Sequence, residues 1–297
     1  MRLIALLLAL LLPACSIKKI AVNKLGDALA QAGTTYSSDD DPELVGDASA
    51  FGLKTIEALL SESPRHAGLL LAAASGFTQY AFAYVQQPAD FVEAKDFERA
   101  VEQRQRARRM YVRAQRYGLR GLEVASPGFE ARLRADRQAA VKALRQEHVP
   151  LLYWTGLAWF GAISLAKDDS ELSADQSLAE ALVARARQLD PGWEYGSIHD
   201  FYIAWEGRGE SVGGSYQRAR AAFDAAVLGS RGQRVAPYVT YAESICVARQ
   251  ERAEFERLLG QALAVDLEAQ PALRLSNLIY RQRARWLLSR ADELFIE

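Results

Sequence analysis

Side chains that could do acid–base or covalent chemistry are few and scattered in this sequence. Histidine occurs only at His66, His148 and His199, far apart along the chain. There is no HExxH, paired CxxC, P-loop or GxGxxG, so the common metal, phosphate and dinucleotide sites lack their ligands. Ser164-Leu-Ala-Lys167 has the spacing of a serine nucleophile with a lysine base. Its companion SDN and KTG motifs are missing and that chemistry needs a β-sheet, so the match reads as chance. His199-Asp200 joins an imidazole to a carboxylate, but no nucleophile is paired with it, and a place near a helix start suits it better. Asp39-Asp40-Asp41 is half a calcium loop without its glycine and closing glutamate, and reads instead as a solvated helix entry. No catalytic residue, metal ligand or cofactor is assigned, and the chain is expected not to be an enzyme.

Cys15 is the exception. Arg2 precedes the apolar run Leu3 to Leu12. About ten apolar residues make a signal-peptide core and fall short of the roughly twenty that span a bilayer. The run ends in Leu12-Pro13-Ala14-Cys15, which resembles a lipobox. Small residues before the cysteine admit a signal peptidase, and the thiol then carries a diacylglycerol. Residues 1–14 are therefore expected to be a signal peptide, and Cys15 the lipidated start of the mature chain. Plain secretion and an uncleaved anchor are the alternatives. Several acyl chains hold far more firmly than one, at about 0.8 kcal/mol per buried CH₂. Ser16 is not the aspartate that retains lipoproteins in the inner membrane, so the outer membrane is favoured. The other cysteine, Cys246, lies in a helical pattern and reads as a buried, inert thiol.

Two aromatic groups stand out: Tyr153, Trp154, Trp159 and Phe160, then Trp193, Tyr195, Phe201, Tyr202 and Trp205. Either they pack a helical core, or Tyr153, Trp154, Trp159, Trp193, Tyr195 and Trp205 line an apolar ligand site or channel. Arg104, Arg106, Arg108, Arg109, Arg113 and Arg116 crowd one helix behind Glu93, Asp96, Glu98 and Glu102. That cluster is either a solvated face of weak ion pairs or a docking face for an acidic partner. The formal net charge is −1, so no global field draws the chain to nucleic acid or anionic lipid.

The elements that must position these residues are helices. Leucine, alanine and arginine are abundant and proline sparse, which suits helix. No mature segment alternates cleanly as a strand does. Ile17 to Gln31 is a short amphipathic stretch, and Gly33 to Asp41 reads as a polar loop. Asp41-Pro42 marks a capped helix start, and Pro64 the start of the next helix. Ala67 to Ala89 and Val149 to Ala166 carry no charge. Each is followed by a charged amphipathic helix, and Trp154 and Trp159 fall mid-segment rather than at the edges that membrane tryptophans prefer. Both are expected to be buried inner helices rather than spans. The outer helices repeat a small–bulky–small spacing: Ala107, Tyr111, Ala114; Ala179, Val183, Ala186; Ala219, Phe223, Ala226; and, weaker, Phe255, Leu259, Ala262. Small residues let paired helices sit close, and such pairs must stack to bury their faces. The expected fold is all-α, a tetratricopeptide-like helical-repeat superhelix. Residues 15–41 would be a lipidated tether and 42–297 one domain. A generic helical bundle is the alternative.

Taken together, longer stretches resemble the T component, TatT, of tripartite ATP-independent periplasmic (TRAP) transporters. They include Cys15, Asp41-Pro-Glu-Leu-Val45, Phe51-Gly-Leu-Lys-Thr-Ile-Glu-Ala-Leu-Leu60, Arg106-Ala-Arg-Arg-Met-Tyr-Val-Arg-Ala114 with Tyr117-Gly-Leu119, and Tyr153-Trp-Thr-Gly-Leu-Ala-Trp159. They continue in Gly196-Ser-Ile-His199, Gly213-Gly-Ser-Tyr-Gln-Arg-Ala219, Glu254-Phe-Glu-Arg-Leu-Leu259 and Arg283-Ala-Arg-Trp-Leu-Leu288. The sequence departs from the pattern at Pro13 and Ala50. The resemblance implies a periplasmic, membrane-anchored lipoprotein that forms a homotrimer with apolar pores. It also implies association with the substrate-binding P component and a small hydrophobic solute as cargo. A lipoprotein scaffold for cell-envelope assembly would share the fold and the anchor, and is the rival function.

Overall fold

The computed structural model describes residues 21–30, 33–166 and 169–296. The signal segment, Cys15 and Lys167 lie outside them. Every regular element among the described residues is helical.

Helix α1, Pro42–Glu62, starts as its sequence predicts: the Asp41 carboxylate accepts the amide N–H groups of Glu43 and Leu44 at 3.1 and 3.0 Å. The preceding segment is not all loop, because Gly33–Ser37 forms a short helix. The next helix begins three residues after Pro64. The His66 ring is its cap, with Nδ1 accepting the Leu69 amide at 3.2 Å. This α2 runs Ala67–Ala81, widens into a π-turn at Phe82–Gln86, and continues through Gln87–Val92. Helix α3, Phe97–Ala125, is capped by Asp96. Two short helices come next, α4 (Phe129–Ala135) and α5 (Arg137–Lys142). Then come α6 (Val149–Ser164), α7 (Gln176–Leu189), α8 (Ile198–Glu206) and α9 (Tyr216–Gly229). Helix α10, Ala236–Tyr241, also passes into a π-turn, at Ala242–Cys246. Helices α11 (Arg252–Ala264) and α12 (Arg274–Ser289) complete the array.

Neighbours in sequence pack side by side: α2 on α3, α6 on α7, α8 on α9 and α10 on α11. The small–bulky–small positions are what they press together. Ala107, Tyr111, Ala114, Ala179, Val183, Ala186, Ala219, Phe223, Ala226, Phe255, Leu259 and Ala262 are all buried. The two uncharged segments become α2 and α6. Helix α2 with its extension is long and apolar enough to cross a membrane, yet Leu69, Leu70, Ala73, Ala74, Phe77, Ala81 and Val85 are buried within the domain. Helix α6 sits centrally, against α2, α3 and α7. It approaches α7 so closely that a Cβ on Gly156 would lie 2.5 Å from Val183 Cγ2 and 2.9 Å from the Ala179 carbonyl oxygen.

The two ends of the array meet. Gln87 Nε2 donates to the Ile279 carbonyl at 3.2 Å, and the rings of Phe82 and Phe91 lie against Tyr280 and Trp286, with centroids 5.4 and 5.3 Å apart. Helical residues 21–30 dock beside the α1–α2 turn, where Ser63 Oγ bonds Asn23 Oδ1 at 2.8 Å and Asp27 reaches His66.

Candidate functional site: an aromatic seam beside a buried ion ladder

The aromatic candidates divide by the side of the helix they occupy. On α6 the residues Trp154, Leu157 and Phe160 are only half-buried, whereas Leu152, Thr155, Ala158 and Trp159 are fully covered. Trp154 and Trp159 are five residues apart, about 140° around a helix. Trp159 therefore points into the core, with Arg134 stacked over its ring at 6.0 Å. It belongs to the core-packing alternative and not to a lining.

Between α6 and the chain from Trp193 through α8 lies a seam of two ring clusters, each built around a buried ring, Tyr153 or Phe201. Tyr153 meets Trp154 and Trp193 at centroid distances of 5.0 and 4.8 Å. Further along, Phe160 meets Phe201 and Trp205 at 5.2 and 5.8 Å. Trp193 and Trp205 keep part of their surface uncovered, and Arg208 lies 3.5 Å over the Trp205 ring. So the structure brings Trp154 and Trp193 together around the buried Tyr153, and sets Trp205 against Phe160 and the buried Phe201. Tyr195 sits apart. It stands in left-handed backbone (φ 58°), a region that non-glycine residues seldom occupy, and its hydroxyl accepts a hydrogen bond from Gln270.

Charged groups line the junction of α2 and α3 with α10 and α12. Arg283 donates to Glu243 at 2.7 and 2.5 Å and to Asp90 at 3.1 Å. Asp90 also accepts from Arg104 at 2.8 Å, and Arg104 reaches Glu93 at 2.6 Å. This ladder, Glu243–Arg283–Asp90–Arg104–Glu93, ties α10, α12, α2 and α3 together. Burial works against the charge on Arg283, but Glu243 and Asp90 outweigh it and hold its pKa above the ordinary value. The hydrogen bond from Arg104 keeps the Glu93 carboxyl below its usual range.

A second pair, Asp200 and Arg234, is bonded through both guanidinium nitrogens. Burial pushes the Asp200 carboxyl up, and Arg234 opposes it. Tyr153 and Tyr280 lie within electrostatic reach of this pair, and their hydroxyls are pushed well above the phenolic range, chiefly by desolvation.

Sequence reasoning missed Arg283, Asp90, Glu243 and Arg234. One signal was readable: Arg283 occupies the same helical stripe as Ile279 and Leu287, both buried, where an arginine demands a buried carboxylate.

The suspected chemical groups have structural duties. Ser164 is exposed and bonded to the Gly161 carbonyl. His66 caps α2, His148 Nδ1 accepts the Arg145 amide, and burial with nearby Arg187 lowers the His199 pKa. Asp39 accepts the Asp41 amide at 2.8 Å, as a helix entry would. What the seam offers is a surface of flat apolar rings, not a nucleophile with its base.

Residues 38–295 match the family described as TRAP transporter T-component. The chain is also 32% identical to an uncharacterized protein of Treponema pallidum (strain Nichols) over 310 aligned residues, covering 97% of this chain and 95% of that protein. A match running from the Asp39 helix entry to beyond the end of α12, carried equally by a full-length relative, means that this chain belongs to the TRAP transporter T-component family.

Proposed function

We propose that this T-component is a non-catalytic periplasmic lipoprotein that binds the substrate-binding P component of its transporter and holds a small apolar solute on the aromatic seam. Residues 1–14 would be removed, Cys15 acylated, and residues 15–41 would link that anchor, in the outer membrane rather than the inner, to a domain spanning 42–297. The helix pairs are read as tetratricopeptide-like repeats, and three copies of the chain as the working assembly. Family membership supports the accessory role in TRAP transport.

The observation that carries the solute reading is the half-buried state of Trp154 and Trp193 in one ring cluster of the seam and of Phe160 and Trp205 in the other. Large aromatics left partly uncovered beside one another supply apolar surface of the kind that lines small-molecule sites. The Asp200–Arg234 pair within electrostatic reach of Tyr153 is neutral overall, and Arg208 covers one face of Trp205, so the rest of the seam offers apolar surface.

The test is purification from membranes in mild detergent, then native mass spectrometry. A periplasmic solute-binding protein should co-purify with a trimer that retains acyl chains. Recovery of envelope-assembly proteins with no solute-binding protein would overturn the transport reading in favour of a scaffold.

A further inference from the structure

The arginines of α3 fall into two sets. Arg104 and Arg108 turn toward the protein and are held by Asp90, Glu93 and Asp169. Arg99, Arg106, Arg109, Arg113, Arg116 and Arg120 are all exposed. At about 100° per residue they fall within an arc of about 100° on the outer side of the helix.

From Arg106 to Arg120 that arc carries five arginines and no carboxylate from α3. Glu98 and Glu102 share it only near the first turns, and Glu123, at its far edge, accepts the Gly128 amide. From the neighbouring helix, Glu57 stands 3.6 Å from Arg113 but is only 14% exposed and also bonded to Lys54 and Tyr117. Arg99, Arg106, Arg109 and Arg116 make no ion pair among the described residues. The stripe is thus a local excess of positive charge about 21 Å long on a chain whose net charge is −1.

Its position relative to the tether gives the stripe a direction. Arg120 donates to the Pro64 carbonyl at 2.9 Å, and the adjoining Ser63 holds Asn23 at 2.8 Å. Asn23 is eight residues from Cys15, a reach of at most about 28 Å when fully extended. A lipid on Cys15 would therefore keep Asn23, and with it the Arg120 end of the stripe, near the bilayer. Lys18, Lys19 and Lys24 along the link add charge of the same sign.

We propose that the outer face of α3 is a second membrane contact, which lays the domain against a bilayer surface of anionic phosphate headgroups. The proposal rests on the reading of Cys15 as a lipid anchor. A basic patch beside a lipid anchor adds electrostatic attraction to anionic lipid, and arginines within a Debye length of an anionic surface are drawn to it.

The experiment reconstitutes the lipidated protein into vesicles of phosphatidylcholine alone and of phosphatidylcholine with phosphatidylglycerol. Phenylglyoxal modification of Arg106, Arg109 and Arg116 is then read by mass spectrometry, with the exposed Arg231 as the control. The expected result is modification about tenfold slower on the anionic vesicles than on the neutral ones, reversed at high salt, with Arg231 unchanged. The variant R106Q/R109Q/R116Q should fold normally, and its Arg113 should lose that protection. Equal rates on both vesicles overturn this contact and leave the anchor standing. Failure to float with either vesicle overturns the anchor and this contact together. Protection that appears only when the P component is added assigns the face to a protein partner and overturns the membrane contact.

Discussion

Arg283 on the last long helix holds Asp90, 193 positions earlier in the chain, at 3.1 Å. The same guanidinium takes Glu243 with its other edge. Glu243 lies within the π-turn of α10 and Asp90 just beyond the π-turn of α2. A π-turn adds a residue to one turn and so rotates the next stretch of helix about its axis. Two such turns thus direct carboxylates from opposite ends of the array to one arginine, and α12 is secured to α2.

Removing that charge should loosen the closure. Arg283→Met keeps the alkyl stem and leaves Asp90 and Glu243 facing a neutral group. Breaking a buried pair costs about 3–5 kcal/mol, and the lower end, about 3 kcal/mol, is expected here because the Glu243 side chain is 33% exposed. Adding Asp90→Asn and Glu243→Gln should recover part of the loss. Urea denaturation checks both values. A change below about 0.5 kcal/mol for Arg283→Met, the range of ordinary surface substitutions, would show that the ladder does not hold the ends together.

Gly156→Ala should destabilise, although alanine is the better helix former by about 1 kcal/mol. The added methyl would meet Val183 Cγ2 at 2.5 Å and the Ala179 carbonyl oxygen at 2.9 Å. Backbone cannot retreat as a flexible side chain can, so overpacking of about 1–3 kcal/mol is expected. Gly260, also within a helix but with open space around it, should respond with the opposite sign. A pair of thermal melts decides it.

Trp159→Ala and Trp205→Ala should separate core from seam. Trp159 is fully buried, and its truncation should cost about 3–5 kcal/mol. Trp205 is half-covered and should cost about half as much, while weakening the binding of an apolar naphthylamine dye several-fold. Equal losses of stability with unchanged dye binding would make the seam part of the core.

Much of this architecture is legible in the sequence because it rests on local chemistry. Asp41-Pro42 is a helix start by composition, and the structure uses it as one. The small–bulky–small positions announce close helix packing, and all twelve are buried. The orientation of α6 is not legible. An apolar helix without a polar face gives hydropathy nothing to align, so Trp154 and Trp159 look alike until their neighbours are placed. The arginines of α3 fail for a different reason: Arg104 and Arg106 differ only in which carboxylates the tertiary fold brings near. The π-turns are invisible because Phe82–Gln86 and Ala242–Cys246 read as ordinary helix. The start of α2 moves from Pro64 to Ala67 because a histidine ring supplies a cap that serine, threonine or aspartate would normally provide.

Cys246 should resist alkylation for as long as the protein stays folded. It is fully buried, and desolvation with nearby Glu251 pushes its thiol up to about 12. At pH 8 roughly one molecule in ten thousand would carry the thiolate, the only reactive form. Iodoacetamide should label it at the rate of global unfolding, and urea should accelerate labelling in step with the loss of helical circular dichroism. Rapid labelling in native buffer would mean that the α10–α11 pair opens locally.

Acid should weaken the ladder from its exposed end first. Arg104 holds the Glu93 carboxyl below its ordinary value of 4.5. A carboxylate with a depressed folded pKa binds protons more readily when unfolded. Its contribution is therefore complete above about pH 4.5 and disappears as pH falls through the lower, folded value. The Glu93 side chain is 37% exposed, so solvent screening limits the contribution to about 1 kcal/mol or less. Glu93→Gln should be less stable than the wild type by up to that amount at pH 7, and the gap should narrow on acidification to below the ordinary carboxylate range. Urea midpoints measured at pH 7 and again in acid test the sign. A gap that widened on acidification would mean that Glu93 is strained by Arg104 rather than held by it.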